Sequence, residues 1–182
     1  HLNDVQEDAS NDIAGMARLV LQRAHEHWRE LEAHIQWCDE RIAAHQKDDE
    51  QVQRAAELKG VGPITASAVV ATVGDFKQFK NGAQFGAWLG LTPKQVGTGG
   101  KTQQLGISKR GDTYTRALLV NGARSVIGRS AHSSWLERLL QRRHFNVVVA
   151  ALANKMARTV WAILVKGQAF DQGKWNPTET AA

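Results

Sequence analysis

The sequence predicts an all-α protein in which a long coiled-coil helix precedes a compact helical domain. From about Asn11 to Ala44 there is no proline and a single glycine, and apolar residues recur at spacings of three and four. Such spacing places them on one face of a helix. This apolar stripe comprises Ile13, Ala17, Val20, Ala24, Trp28, Leu31, Ile35, Cys38 and Ile42. After Leu58, segments with helical spacing alternate with glycine-rich turns, which is typical of a domain built from several helices.

The first helix is too long to be covered by a small domain. At 1.5 Å per residue, roughly 30 residues extend for about 45 Å. We therefore expect a coiled-coil arm over residues 1–48 that pairs with a helix of another subunit, giving a homo-oligomer, or with a helix in a missing part of the chain. The alternative is a helix that folds back on its own domain.

The bounds of the later helices follow from turn and cap residues. Pro63 suits a first helical position, where the missing N–H is not needed, and Asp112 is a good N-cap. Gly167 follows the last apolar segment, so we expect a domain over residues 49–167 and a frayed tail over 168–182. Helices are predicted over residues 49–58, 63–73, 113–127, 134–143 and 146–166, with a short one that ends near Gly90.

The segment from Thr92 to Lys109 differs from the rest of the domain. It has glycines at positions 97, 99, 100 and 106 and no helical periodicity. It is either one long glycine-rich loop, which we take as the working expectation, or a short hairpin. Loops of this length in compact domains are usually functional or disordered.

Charge is distributed unevenly along the chain. Residues 1–75 carry 7 Lys/Arg against 14 Asp/Glu, whereas residues 76–182 carry 16 Lys/Arg against 4 Asp/Glu. A basic half of this kind suits a polyanion such as DNA, because each phosphate contact releases condensed counterions. A solubilising surface is the alternative explanation.

Composition argues against several other classes of protein. The longest apolar runs, such as Val147–Ala153, are too short to span a bilayer, and the first residues show no secretory pattern. The single cysteine, Cys38, excludes an internal disulfide framework and fits a reducing cytoplasm. The seven histidines lack metal-ligand spacing, so we expect no metal site in this chain. The chain begins with His rather than Met, and we expect an upstream part to be missing.

The segment from Leu58 to Ala66 has the form of a helix-hairpin-helix. Gly60 and Gly62 allow the backbone to approach a phosphate, and N–H groups at the start of the next helix can bind the anion. Contacts of this kind position a protein on a duplex without reading its sequence. The alternative is a plain helical hairpin with a glycine turn.

The glycine-rich segment carries a hydroxyl, Thr98, close to Lys101 and followed by Ser108. A hydroxyl in this setting can attack a phosphodiester while nearby cations stabilise the charge of the transition state. The spacing is not that of a Walker loop, because no helical run follows. The residue types are equally compatible with a basic loop that holds a phosphate without chemistry. The cations in or just after this segment are Lys101, Lys109, Arg110, Arg116 and Arg124.

The stretch from about Leu58 to Ala169 resembles the C-terminal domain of bacterial insertion-sequence transposases of the 110/116/902 family. That family includes the Piv-type DNA invertases and recombinases guided by a bridge RNA. Several blocks occur in the family's order over about 110 residues. They are Gly60–Pro63, Phe85–Gln95, Gly99–Lys101, Gly106–Asp112, Leu118–Arg124 and Ala151–Arg158, with Trp161.

The resemblance implies a catalyst in two parts. An N-terminal nuclease-like domain would supply carboxylates and a divalent metal ion, expected to be Mg²⁺, whereas this C-terminal domain would supply a serine that joins covalently to DNA. The family's serine just before Gly-Gly-Lys is displaced here, because the loop reads Gly97-Thr98-Gly99. Thr98 is then the nearest candidate nucleophile, and Ser108 is the next.

The resulting hypothesis is the C-terminal part of a DNA transposase or recombinase, cytoplasmic and nucleoid-associated. It would bind DNA and contribute a hydroxyl to strand cleavage and exchange, with a guide RNA as a further partner, no membrane, and no activity as an isolated chain. One alternative is a non-catalytic helix-hairpin-helix module that binds nucleic acid. A second is an oligomerisation fragment whose basic half binds non-specifically.

Overall fold

The computed structural model describes residues 14–98, 101–129, 133–167, 170 and 175. Its helices are α1 (Gly15–Asp48), α2 (Glu50–Ala56), α3 (Pro63–Val73), α4 (Gly82–Trp88), α5 (Thr113–Gly128), α6 (Ser134–Arg142) and α7 (Phe145–Lys166), with a 3₁₀ turn at Phe76–Gln78. Two strands, β1 (Pro93–Thr98) and β2 (Lys101–Ile107), form a small antiparallel sheet. The predicted all-α class is thus confirmed, with this sheet as an addition.

Contacts within the chain divide it into residues 1–44 and residues 45–182. The first unit contains most of α1, and none of the described residues of that helix is buried. Pairs one turn apart link its polar faces, such as Arg23 with Glu26 at 3.2 Å, and Gln36 with Glu40 at 3.2 Å. The large apolar side chains of the helix remain exposed, including Val20 at 62%, Trp28 at 51% and Ile35 at 61%.

In the second unit, α2 and α3 pack against each other as a helical hairpin, and its role as a helix-hairpin-helix stays a prediction. Asp49 caps α2 by accepting hydrogen bonds from the backbone N–H groups of Gln51 and Val52 at 2.7 and 3.1 Å. Gly62 precedes Pro63 at the start of α3, which ends at Gly74. These two boundaries agree with the predicted span of the helix.

Helix α7 is the centre of the core. It packs against α2, α4, α5, α6 and the 3₁₀ turn. Its buried residues recur at helical spacing around much of its surface: Val148, Val149, Leu152, Ala153, Met156, Ala157, Val160, Trp161 and Ile163. The helix is long and apolar enough to pass a test for a membrane span, but half of its most apolar window is buried inside the protein. Its apolar composition is therefore accounted for by its place in the core.

Helix α4 lies close to α7 because both of its glycines face that helix. A Cβ at Gly82 would lie 2.9 Å from the carbonyl oxygen of Arg158, and one at Gly86 would lie 2.9 Å from Nδ2 of Asn154. Nearby, the indole Nε1 of Trp161 donates a hydrogen bond to the carbonyl oxygen of Phe76 at 3.2 Å. This close approach fixes α4 against α7, and the glycine-rich segment follows α4 in the chain.

The glycine-rich segment is a β-hairpin rather than an irregular loop. Pro93 pairs with Ile107 at its base and Thr98 pairs with Lys101 at its tip, with an irregularity in register between Pro93 and Gln95. Of the two alternatives left by the sequence, the working expectation of a long loop is thus wrong. Gly99 and Gly100 lie outside the described residues.

Two aromatic residues of the predicted tail belong to the second unit. Trp175 is only 5% exposed, and Phe170 packs against the hydrophobic core. Their rings contact each other at 6.1 Å between centroids. The expectation of a frayed tail is therefore wrong at these two positions, because their side chains bury apolar surface.

Candidate nucleic-acid interface

The residues that follow the β-hairpin cross the end of α4 at very short range. A Cβ at Gly90 would lie 2.1 Å from the carbonyl oxygen of Arg110, and one at Gly111 would lie 1.8 Å from that of Trp88. No side chain fits at either position, and both glycines have positive φ, +73° and +107°. The turn Ser108–Asp112, called here the basic turn, is held against the protein by these two glycines.

Backbone hydrogen bonds fix the basic turn. The N–H of Ser108 donates to the carbonyl oxygen of Thr92 at 2.8 Å, and the N–H of Lys109 donates to that of Gly90 at 3.0 Å. Lys109 has φ of 56° and is the one non-glycine residue with positive φ among the described residues. Lysine rarely adopts this conformation, and such backbone outliers are concentrated at functional sites. The side chains of Lys109 and Arg110 are exposed.

Arg116 donates hydrogen bonds to backbone carbonyl groups of the basic turn and of the end of α4. Its Nη1 lies 3.2 Å from the carbonyl oxygen of Leu89 and 3.4 Å from those of Gly111 and Asp112. Its Nη2 donates to Oγ1 of Thr113 at 3.1 Å. A guanidinium group has five N–H donors, and most of these serve the protein itself. Arg116 therefore positions the basic turn, and its expected contact with a phosphate stays a prediction.

Asp112 caps α5 and ends the basic turn. Its carboxylate accepts a hydrogen bond from the backbone N–H of Thr115 at 2.6 Å. Hydrogen bonds from the side chain and backbone of Thr115 lower the pKa of this carboxyl group, and the charge of Arg116 contributes in the same direction. The acid is thus held ionised at the start of a helix, where its charge is favourable.

The structure separates the two candidate nucleophiles. Thr98 ends β1 at the tip of the hairpin, whereas Ser108 follows β2 at its base. Ser108 lies opposite Thr92, six residues before Thr98, so at about 3.3 Å per residue the two hydroxyl residues are roughly 20 Å apart along the hairpin. Ser108 is half-buried, and the backbone N–H of Arg110 approaches its Oγ at 3.5 Å. The side chain of Thr98 lies outside the described part of the structure.

The predicted cations divide in the same way. Lys101 is exposed at the tip beside Thr98, and Lys109 and Arg110 are exposed at the base beside Ser108. Arg124 is exposed on α5, two turns beyond Arg116. The predicted cations are thus not all in one place: Lys101 lies at the tip of the hairpin, Lys109 and Arg110 form a base group, and Arg124 lies apart from both.

The two glycines of the helical hairpin have different surroundings. Gly60 has φ of +87°, and a Cβ there would meet Cγ2 of Val126 at 2.7 Å and Cε of Met156 at 2.9 Å. It also packs against Gly122 of α5, so Gly60 joins the hairpin to the core. Gly62 is exposed, with nothing within 4 Å of a Cβ built on it. Contact of this turn with a phosphate stays a prediction that now depends on Gly62.

No cluster of three or more His, Cys, Asp or Glu side chains suitable for a metal ion occurs among the described residues. The donor set within the described ranges does not fit the divalent ion that the resemblance implies elsewhere in the protein. No chemical step at the basic turn is therefore assigned to a metal here.

Sequence reasoning did not identify the residues that build the basic turn. The sequence marks Gly90 as the end of a short helix and Gly111 as the residue before the cap Asp112, but it does not indicate that the two contact each other's segment. The available signal was a glycine after a short helix and another just before a cap residue. Only the structure shows that the two glycines face each other's backbone.

The chain is similar to known transposases. The family model described as "Transposase IS116/IS110/IS902 family" matches residues 52–140. A probable family 20 transposase of Pseudomonas aeruginosa is 47% identical over 159 residues, covering 85% of this chain and 47% of that protein. The transposase for insertion sequence element IS1328 of Yersinia enterocolitica is 40% identical over 158 residues, covering 84% of this chain and 47% of that protein. The transposase for element IS1111A of Coxiella burnetii is 40% identical over 140 residues, or 74% of this chain and 38% of that protein.

These similarities and the helical fold define the class of protein as the insertion-sequence transposases. Within that class, the chain belongs to the IS116/IS110/IS902 family. The resemblance seen in the sequence is thereby confirmed. The chain spans slightly less than half the length of the first two of these relatives.

Proposed function

We propose that this chain is the part of a transposase that binds DNA and supplies a hydroxyl nucleophile for strand cleavage and exchange. The observation that supports this most directly is the basic turn, where two glycines hold Lys109 and Arg110 exposed beside Ser108. Cations fixed in advance stabilise developing phosphate charge without a cost of reorganisation during the reaction.

The proposed step is a transesterification. The hydroxyl oxygen forms a bond to phosphorus while the bond from phosphorus to a bridging oxygen of the DNA strand breaks. The proton lost by the hydroxyl is balanced by the proton that the leaving oxygen takes up. Lys109 and Arg110 stabilise the extra negative charge on the phosphoryl oxygens of the transition state. A second transesterification by a DNA hydroxyl releases the protein and joins the new strand.

The geometry favours Ser108 over Thr98 as the nucleophile, because Ser108 lies beside Lys109 and Arg110 at the base of the hairpin. Ser108 directly precedes Lys109 and lies two residues before Arg110, and its backbone is fixed by the hydrogen bond to Thr92. Thr98 is closer to Lys101, and its β-methyl group makes the hydroxyl more hindered. The order of preference taken from the family resemblance is therefore reversed in this proposal.

The test is a suicide DNA substrate added to a complete transposase that carries this chain. Denaturing gels would reveal a covalent protein–DNA adduct. We expect Ser108→Ala to abolish the adduct and Thr98→Ala to preserve it, whereas the opposite result would identify Thr98. An adduct unchanged in both variants would refute both assignments.

DNA positioning by the helical hairpin is a separate part of the proposal. Gly62 is exposed, no side chain caps α3, and residues at its start have free backbone N–H groups of the kind that bind phosphates. A Cβ at Gly62 meets nothing within 4 Å, so Gly62→Val is compatible with the fold. We expect it to weaken duplex binding more than it lowers helix content by circular dichroism. Equal losses would show that the turn is only architectural.

A non-catalytic nucleic-acid-binding module is the second candidate function. It is favoured by Arg116, whose donors serve backbone carbonyl groups, and by the half-buried position of Ser108. Such a module would bind duplex DNA with a marked salt dependence but never form the adduct. An oligomerisation fragment without a dedicated surface would instead show a shallow salt slope, equivalent to one or two phosphate contacts.

Homo-oligomerisation through α1 is the remaining part of the proposal. The first unit exposes eight large apolar side chains on this helix, between 39% and 74%. These are Met16, Leu19, Val20, Leu21, Trp28, Leu31, Ile35 and Trp37. Four of them, Val20, Trp28, Leu31 and Ile35, belong to the apolar stripe, and pairing this stripe with that of a second copy would bury these four side chains.

A further inference from the structure

A large groove in the second unit lies outside the basic turn. It runs along α7 and is bounded by the start of α4, by α6 and by Phe170 and Trp175, with a volume of about 1210 Å³. It shares no lining residue with Ser108–Asp112 or with the β-hairpin. Nothing in the proposed reaction uses it.

Among the described residues, all charged side chains that line the groove are cationic. They are Arg138, Lys155, Arg158 and Lys166, and no described Asp or Glu lines the groove. Positive side chains that line a concave surface concentrate the electrostatic field there and attract a polyanion. Because α6 and α7 supply all four, the cations lie along a path rather than at one point.

Aromatic rings lie beside these cations. Nζ of Lys155 lies 4.7 Å from the ring centroid of Trp135 and 4.4 Å from that of Trp175, and it donates a hydrogen bond to the carbonyl oxygen of Trp175 at 2.8 Å. Partial burial lowers the pKa of this lysine. Trp161 and Phe170 also line the groove. Flat apolar faces next to cations are the combination that binds bases and phosphates of an unpaired strand.

We propose that this groove binds a single-stranded segment of nucleic acid. The ring of Trp135 would stack on an unpaired base, and Arg158 and Lys166 would contact the phosphates beside it. A duplex keeps its bases stacked on one another and cannot offer their faces to tryptophan, whereas a single strand can. The inference rests on the proposed function for its nucleic-acid partner, and adds a second site with a different strand requirement.

The experiment measures fluorescence anisotropy of labelled 15-nucleotide oligothymidine, oligouridine and a 15-base-pair duplex with the full chain. The test variant is Arg158→Gln with Lys166→Gln. The control is Arg142→Gln with Arg143→Gln, which removes the same charge from exposed positions at the end of α6, outside the groove. The slope of log affinity against log salt concentration reports the number of phosphate contacts. Because the test variant removes two such contacts, the magnitude of its slope for single strands should fall by about 1.4, whereas that of the control variant should not change.

Stacking is tested at Trp135. We expect Trp135→Ala to weaken single-strand binding by roughly 5- to 150-fold and Trp135→Phe to retain most of it, since each stacked base is worth about 1–3 kcal/mol. Intrinsic fluorescence and urea unfolding would show whether the alanine variant is folded. If the alanine variant does not fold, the double variant of the exposed residues Arg158 and Lys166 still tests whether the groove binds a single strand.

The outcomes separate this inference from the proposed function. The inference is supported if only the groove variants lose single-strand binding while duplex binding is unchanged. A preference for oligothymidine or oligouridine then shows whether the bound strand is DNA or RNA. Equal losses in the test and control variants, or displacement of the strand by polyglutamate at equal charge, overturn it. If the chain binds duplex but no single strand, the inference fails alone. If it binds single strands but no duplex, the duplex-binding proposal fails instead.

Discussion

Replacing Gly111 by alanine tests whether the basic turn is held by its glycines. The new Cβ would lie 1.8 Å from the carbonyl oxygen of Trp88, whereas ordinary contact begins at 3.4 Å, so the two backbones must separate by more than about 1 Å. Alanine at φ of +107° costs about 1–3 kcal/mol, and the overpacking costs about as much again. The hydrogen bond from Lys109 to Gly90 and those of Arg116 span the same contact and would lengthen. We therefore expect a loss of about 2–6 kcal/mol.

Urea unfolding followed by tryptophan fluorescence measures this loss. The matched control is Gly106→Ala in β2, where nothing lies within 4 Å of the added Cβ and φ is not positive. We expect its free energy of unfolding to stay within about 1 kcal/mol of the unmodified chain. Equal and small effects of Gly111→Ala and Gly106→Ala would refute the idea that close backbone contact positions the turn.

Three further predictions concern the hairpin, the cap and the long helix. Gly60→Ala should destabilise the chain by about 2–4 kcal/mol in urea, because its Cβ would overlap Val126 and the positive φ adds strain; a cost like that of Gly62→Ala would contradict this packing role. Asp112 has a pKa below its ordinary value of 3.8 in the folded chain, so its ionised form contributes stability above that pH, and this is lost as the pH falls through the lower folded value. The stability gap between the unmodified chain and Asp112→Asn should therefore narrow below pH 4 in acid unfolding, and a constant gap would exclude an ionised cap. Ile35→Lys should lower self-association in sedimentation equilibrium, whereas Glu26→Lys, on the opposite and polar face of the same helix, should not. Unchanged self-association of Ile35→Lys would exclude α1 from the interface.

The helices were predictable from sequence because their signals are local. Gly62 and Pro63 start α3, Gly74 ends it, and Asp112 caps α5 through a hydrogen bond that such a residue forms with its own helix. The family was predictable for a different reason, since several short blocks occur in order over a long stretch. Both kinds of signal lie within contiguous segments of the chain.

The β-hairpin could not be assigned for a physical reason. Val96 and Leu105 are 53% and 46% exposed, and no described side chain of either strand is buried. Without a buried face among these residues there is no alternation of apolar and polar residues, which is the main sequence signal of a strand. The glycines and threonines of the segment are as common in loops as in such strands.

The candidate sites depend on contacts between distant segments, and residue type alone assigned them incompletely. Arg116 was grouped with the phosphate-binding cations, but its guanidinium group serves the carbonyl groups of Leu89 and Gly111. The sequence does not indicate the groove, because Lys155 is 20 residues from both Trp135 and Trp175 and meets them only in the folded chain.

The rigidity of the basic turn is what its proposed chemistry requires. A flexible loop that carried Lys109 and Arg110 would have to lose conformational freedom each time it bound a phosphate, and that loss would reduce the stabilisation of the transition state. In this chain the cost is met during folding, by Gly90, Gly111 and the donors of Arg116. The glycines are thus required for the position of the cations rather than for flexibility. A variant that loosens the turn while keeping both cations should therefore reduce adduct formation more than it reduces duplex affinity.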